Sequence, residues 1–178
     1  MRKSLVALLF LLVAPLAYAT PEMTIGTGLD ARIGRDVNPD YYSSQAFGQL
    51  YGEYAIHPWS FLMELEFGQT NGNNGNYSVK NSTYTTMAWA RYEPWYGQLR
   101  ISPFAGAGLG WQFHDTESKF GSARDEGWSD GGGIAAISGG AMATFFKHWN
   151  VESELRLAKF QMQSDVTFAF LLRTGYTF

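Results

Sequence analysis

The last thirteen residues, Val166 to Phe178 (VTFAFLLRTGYTF), constrain the fold more than any other stretch of the chain. Side chains along a strand alternate between two faces. Val166, Phe168, Phe170, Leu172, Thr174, Tyr176 and Phe178 therefore share one face, and Thr167, Ala169, Leu171, Arg173, Gly175 and Thr177 share the other. One side is large and apolar. The other carries an arginine among mostly small residues, and the segment stops on an aromatic ring. Such a strand fits a wall with hydrocarbon on one side and a crowded polar space on the other.

The opposite end of the chain reads as an address. Arg2 and Lys3 make a positive n-region, Leu5 to Ala14 an apolar h-region, and Ala17-Tyr18-Ala19 an A-x-A cleavage site. This predicts a secretory signal peptide over residues 1–19 with Thr20 as the new N-terminus. The apolar stretch falls short of the ~20 residues a spanning helix needs. The chain has no Cys, so neither lipoprotein processing nor a disulfide is expected.

Residues 20–178 are one domain by length. Charge is mild, 13 basic against 16 acidic residues over the whole sequence, which leaves no basic footprint for nucleic acid. After residue 19 the longest uninterrupted apolar run is Phe168 to Leu172, so no helical span is expected. A membrane protein without helical spans has to be a closed barrel, because only closure pairs every backbone group.

The pattern of the closing strand recurs. Met23, Ile25, Leu29, Ala31 and Ile33 oppose Gly26, Gly28, Asp30 and Arg32, and Ala46, Leu50, Tyr54 and Ile56 oppose Gln45, Gln49, Tyr51 and Glu53. Phe61, Met63, Leu65 and Phe67 oppose Glu64, Glu66 and Gly68, and Tyr84, Ala88, Ala90 and Tyr92 oppose Thr85, Met87, Trp89, Arg91 and Glu93. A fifth segment, Gln98 to Phe113, sets Leu99, Ile101, Ala105, Ala107, Leu109, Trp111 and Phe113 against Arg100, Ser102, Gly106, Gly108, Gly110 and Gln112. A seventh sets Val151, Leu155 and Leu157 against Glu152, Glu154 and Arg156. The sixth, about Gly132 to Phe146, is rich in Gly and Ala, and its faces stay open. The expected fold is all-β: an eight-stranded antiparallel up-and-down transmembrane β-barrel behind a cleaved signal peptide.

The connections differ in length. Three are short and carry Trp: His57-Pro58-Trp59, Glu93-Pro94-Trp95-Tyr96-Gly97 and Lys147-His148-Trp149-Asn150. The stretches 36–43, 69–81 and 114–129 read as longer polar loops, with a brief one at 163–165. Short periplasmic turns and longer outer loops are the asymmetry of a transmembrane barrel. Trp59, Trp95 and Trp149 are then expected at an interface girdle, with Tyr84 and Tyr92 marking opposite rims of one strand.

A soluble barrel or sandwich would alternate as well. A wet strand face carries Lys and Thr, whereas the polar face here carries Gly, Gln, Arg and Glu. In these registers Arg32, Arg91, Arg100, Arg156 and Arg173 point the same way as Asp30, Glu53, Glu64, Glu66, Glu152 and Glu154. An Arg facing lipid near the midplane costs ~2–4 kcal/mol, so all of these should point inward. Side chains fill the interior of an eight-stranded barrel, so the charges there must pair or trap water.

With this closing strand and these eight segments, the mature chain resembles the small eight-stranded bacterial outer-membrane β-barrel superfamily typified by the OmpA transmembrane domain and OmpX. The resemblance implies an outer-membrane location, with loops outside and both termini in the periplasm. It also implies contact with outer-membrane lipids and lipopolysaccharide, and a monomeric barrel. The terminal strand, with Phe170, Leu172, Tyr176 and Phe178, would be the signal read by the barrel-assembly machinery.

Catalytic chemistry is thin. Gly127-Trp128-Ser129-Asp130-Gly131 matches G-x-S-x-G but lacks the strand-to-helix elbow that motif requires. His114-Asp115 with Ser118 would suit a lipid-modifying enzyme only if they converged, and adjacent residues do not orient one another as a base and its partner must. Asp36 to Asp40 begins like a calcium loop, yet position six is Tyr41 rather than Gly and position twelve is Phe47 rather than Glu. His57 and His148 are turn residues with no second ligand nearby in sequence. No catalytic, cofactor or metal residue is assigned. The expected role is structural or surface-interacting, with an Arg/Glu network filling the lumen. The alternatives are a narrow passive channel for ions or small hydrophobic solutes and, less favoured, a lipid-modifying enzyme.

Overall fold

The computed structural model describes residues 21–33, 45–74, 77–120, 122–161 and 166–178. The expected signal peptide, the 36–43 loop with its calcium-like start, and the 163–165 connection lie outside these residues. Eight strands are present: β1 (Glu22–Ile33), β2 (Gln45–Ile56), β3 (Trp59–Asn74), β4 (Tyr77–Tyr92), β5 (Ile101–Phe120), β6 (Ala123–Phe145), β7 (Trp149–Phe160) and β8 (Val166–Thr177). Each pairs antiparallel with the next, and β8 closes on β1 from Thr24↔Thr177 to Ile33↔Phe168, giving an up-and-down barrel with no open edge.

Sidedness follows the alternation. Leu29, Leu109 and Leu155 are each more than 65% exposed on the outside, while Arg91, Glu64 and Leu171 inside are 1% exposed or less. The ambiguous sixth strand now has faces: Ile134, Ala136 and Met142 point in, and Ala135, Ile137 and Gly139 point out. An exterior this apolar suits hydrocarbon, and the charged interior is the reverse of a soluble core.

Two stretches expected to be loops are strand instead. β3 pairs with β4 as far as Asn74↔Tyr77, and β5 with β6 as far as Phe120↔Ala123. Among the described residues the neighbouring pairings end earlier, β2 with β3 at Phe47↔Gly68 and β7 with β6 at Ile134↔Phe160. A four-stranded sheet therefore rises above one side of the barrel. Along its β5 and β6 parts neither face is buried from His114 to Phe120 or from Ala123 to Asp130, so burial imposes no apolar/polar alternation there, and its Asn, Gly and Ser content resembles a loop. Between Gln112 and Phe113 the β5–β6 register shifts by one residue, skipping Gly131. The adjacent Gly132 has φ +80°, a conformation that favours glycine at a bulge.

Candidate functional site

The lumen is the site. β1 supplies Asp30 and Arg32, β2 Gln49 and Glu53, β3 Glu64 and Glu66, β4 Arg91, β7 Glu152, Glu154 and Arg156, and β8 Arg173, all buried. Their ion pairs join into one chain. Arg32 binds Asp30 at 2.7 Å and also pairs with Glu66. Glu66 passes to Arg156 at 2.8 Å, and Arg156 to Glu64 at 2.8 Å. Glu64 reaches Arg173 at 3.1 Å, which also holds Glu154 at 2.8 Å and Glu152 at 3.5 Å. Glu152 then meets Arg91 at 2.9 Å, which touches Glu53 at 3.2 Å. Gln49 knits the middle, accepting from Arg173 Nε at 2.7 Å and donating to Glu64 at 2.8 Å.

Each of these buried arginines also stacks on a ring: Arg32 over Phe47 (4.0 Å), Arg91 over Phe104 (3.8 Å), Arg156 over Trp89 (4.3 Å) and Arg173 over Tyr51 (5.5 Å). Stacking of a weakly hydrated guanidinium adds attraction where water is scarce. Glycine makes the room. A Cβ on Gly108 would lie 2.5 Å from the Trp89 ring, and one on Gly28 would lie 2.8 Å from Arg173 Cγ. β5 and β6, which carry none of these charges, contribute Phe104, Ile134 and Met142 to the filling.

Ten of the eleven residues expected in the lumen meet there. Arg100 does not. β5 begins at Ile101, and Arg100 is exposed in the turn that precedes it. Alternation gives its parity correctly, but parity does not say where pairing ends. Glu93, placed by the sequence on the polar face of β4 but left out of the network, belongs at its end: it is 2% exposed, 3.9 Å from Arg91. Among the described residues, the buried interior thus holds four arginines against seven carboxylates.

The rims are aromatic. At the short-turn end Trp59 packs on Tyr92 (4.9 Å), Trp149 on Tyr176 (5.5 Å) and Tyr176 on Phe178 (5.1 Å), while Trp95 is exposed in the β4–β5 turn. The Phe178 amide donates to Met23 O at 2.9 Å, which fastens the C-terminus to β1. Phe170 and Leu172 face outward on β8. Tyr84 marks the other rim, stacked with Trp128 (5.5 Å) and near Phe67 (5.3 Å).

The candidate catalytic groups do not assemble. His114 and Asp115 are consecutive on β5 and so project to opposite faces, and His114 Nδ1 lies 3.1 Å from Thr83 Oγ1. Gly127 to Gly131 lies on β6, and Asp130 accepts from Trp111 Nε1 at 2.7 Å. Among the described residues, no group of three His, Cys, Asp or Glu side chains could hold a metal ion. His57 has carboxylate neighbours that sequence distance concealed, Glu22 at 3.6 Å and Glu93 at 3.7 Å.

A closed eight-stranded ring, apolar outside and ion-paired within, defines the fold of the small outer-membrane β-barrels. Solved structures of that class superpose over nearly the whole chain. A major outer membrane protein from Thermus thermophilus matches with a TM-score of 0.69 at 10% identity, covering 89% of this chain and 100% of that one. Neisserial surface protein A gives 0.59 at 13% identity, covering 88% and 95%. Ail, the attachment invasion locus protein of Yersinia pestis, gives 0.58 at 12% identity, covering 90% and 99%. No family model and no curated protein sequence matches the chain. At these identities the likeness establishes the architecture alone.

Proposed function

We propose that the protein is an integral outer-membrane barrel whose lumen is a structural plug and whose raised β3–β6 sheet faces the cell exterior as a surface-interaction element. One observation carries this reading. The four lumen arginines are each ion-paired, stacked on an aromatic ring and no more than 8% exposed. A conducting path would need such groups hydrated. Here they are locked to one another, and breaking one contact leaves a charge stranded in a low-dielectric interior. The outside supports the placement in lipid, since Leu29, Leu65, Leu109, Leu155 and Phe168 are exposed along the wall between two aromatic rims. Two structural neighbours are named for attachment and for the surface, which favours an interaction role over transport.

In this orientation the Trp-bearing turns and both ends of the barrel lie in the periplasm. The terminal strand with Phe178 engages the assembly machinery, and lipopolysaccharide surrounds the outer rim. No enzymatic role is proposed, because His114, Asp115 and Ser118 do not converge.

The absence of Cys makes the test clean. Single cysteines at Lys119, on the raised sheet, and at Lys147, in the β6–β7 turn, are treated on intact cells with a membrane-impermeant maleimide. Lys119→Cys should label at once, and Lys147→Cys only after the outer membrane is permeabilised. The reverse pattern, or protection of both on intact cells, refutes the assignment.

A further inference from the structure

His57 sits in the turn between β2 and β3, at the short-turn mouth of the lumen. Its ring lies flat on Tyr96 of the β4–β5 turn, with centroids 3.4 Å apart and planes 8° from parallel. On one side Nε2 is 3.6 Å from Glu22 Oε2 at the start of β1; on the other, Nδ1 is 3.7 Å from Glu93 Oε2 after β4. Tyr96 donates its hydroxyl to the same Glu22 oxygen at 2.7 Å. Among the described residues, neither ring nitrogen nor Glu93 Oε2 has a hydrogen-bond partner, although all three atoms are buried. The other Glu93 oxygen accepts from Ser60 Oγ at 3.0 Å and lies 3.9 Å from Arg91 Nη2. Beyond Arg91 stand Glu53 from β2 and Glu152 from β7, both bound to the same guanidinium.

We propose that His57 and Glu93 share a single proton, and that this proton ties the β2–β3 turn to both β1 and the β4–β5 turn across the mouth of the lumen. The argument is a count of donors. With one shared proton, either arrangement satisfies both sides of the ring. A neutral His57 donates from Nε2 to Glu22 while protonated Glu93 donates to Nδ1, or an imidazolium donates to both carboxylates. With no shared proton, the neutral ring has one N–H for two carboxylates, and one link is lost. With two, His57 Nδ1–H and the Glu93 O–H face each other as donors. Only the middle state closes both contacts.

The surroundings favour that state near neutral pH. Burial pushes the Glu93 carboxyl up to about 7; Arg91 works against this, while Glu53 and Glu152 push it further up and the Ser60 hydrogen bond pulls it down. Burial pushes the His57 imidazole down, against the pull of Glu22. Glu93, raised, contributes stability that is present below the ordinary carboxyl range and lost as pH rises through about 7. His57, lowered, contributes stability that is present above the ordinary imidazole range and lost as pH falls through its depressed value. The latch is therefore tightest just below neutrality and loosens on either side.

The Glu93 amide reports the latch, because it donates to Pro58 O at 2.7 Å and so bridges the two turns. Hydrogen exchange at this amide is measured on the refolded mature protein in detergent micelles and corrected for the intrinsic pH dependence. Protection should be greatest between about pH 6 and 7 and fall about tenfold by pH 8.5, the equivalent of one net hydrogen bond. Glu93→Gln, whose amide donates to Nδ1 at any pH, should keep its protection on the alkaline side. In the unaltered protein, the Glu93 carboxyl carbon should titrate near pH 7 by NMR. A flat protection profile in the unaltered protein, the same alkaline fall in Glu93→Gln, or a carboxyl midpoint below pH 5 would each overturn the proposal.

Discussion

Replacing Arg173 by Met removes the hub of the lumen network while keeping most of the volume of its stem. The side chain pairs with Glu64 at 3.1 Å, Glu154 at 2.8 Å and Glu152 at 3.5 Å, and donates to Gln49 at 2.7 Å. Removing one partner from a buried ion pair costs ~3–5 kcal/mol, mostly because the remaining charge is stranded. Here the stranded side is already in excess, with seven carboxylates against three remaining arginines among the described residues. The upper half of that range is therefore expected. Urea unfolding in lipid vesicles, followed by Trp fluorescence, reads the loss. With a slope of about 2 kcal/mol/M it moves the midpoint down by roughly 2 M. Arg100→Met is the matched control. Arg100 has the same parity in the sequence but is exposed in the β4–β5 turn, so its loss should stay within about 0.5 kcal/mol. A second substitution, Glu154→Gln, should return part of the Arg173→Met deficit by removing an uncompensated charge. A cost below about 1 kcal/mol for Arg173→Met, or one matched by Arg100→Met, refutes the picture of a dry, tightly coupled lumen.

Other outcomes follow from the same geometry. Gly108→Val drives a Cβ to 2.5 Å from the Trp89 ring and should destabilise by roughly 1–3 kcal/mol, whereas Gly52→Ala, with nothing within 4 Å of the new atom, should be close to neutral in the same titration. Leu155→Arg, on the outer wall well away from both rims, should cost about 2–4 kcal/mol in vesicles, and a neutral result would mean this face does not meet hydrocarbon. If the proposed assembly signal resides in the terminal ring, Phe178→Ala should lower the fraction of heat-modifiable, folded protein recovered from cell envelopes more than it lowers refolding in detergent. An equal loss in both would assign the ring to packing against Tyr176 instead.

Much of this fold is readable in the chain because a barrel wall forces strict alternation. Once Phe168, Phe170 and Leu172 face lipid, Arg173 can only face inward, and the same logic places Asp30, Glu64, Arg91 and Arg156. The logic fails where its cause is missing. Residues 69–74, 77–81, 114–120 and 123–129 lie along a sheet that extends past the neighbouring strands, so the alternation a barrel wall forces is absent there, and paired strands read as loops. β6 is ambiguous in sequence because Ala and Gly fit either face, and the skipped Gly131 breaks the count. Arg100 shows that parity carries no information about where pairing stops. The stacking of Arg91 on Phe104 and the approach of His57 to Glu22 and Glu93 are hidden for a different reason: they join residues on different strands, and only ring closure sets those distances.

The central claim, that this barrel is closed by its own side chains, is tested most directly by electrical recording of refolded residues 20–178 in a planar bilayer near neutral pH. The Arg/Glu network as built predicts no stable unitary conductance. A steady open level carried by the unaltered protein, and abolished by removing Glu64 or Arg173, would contradict it and establish the lumen as a path.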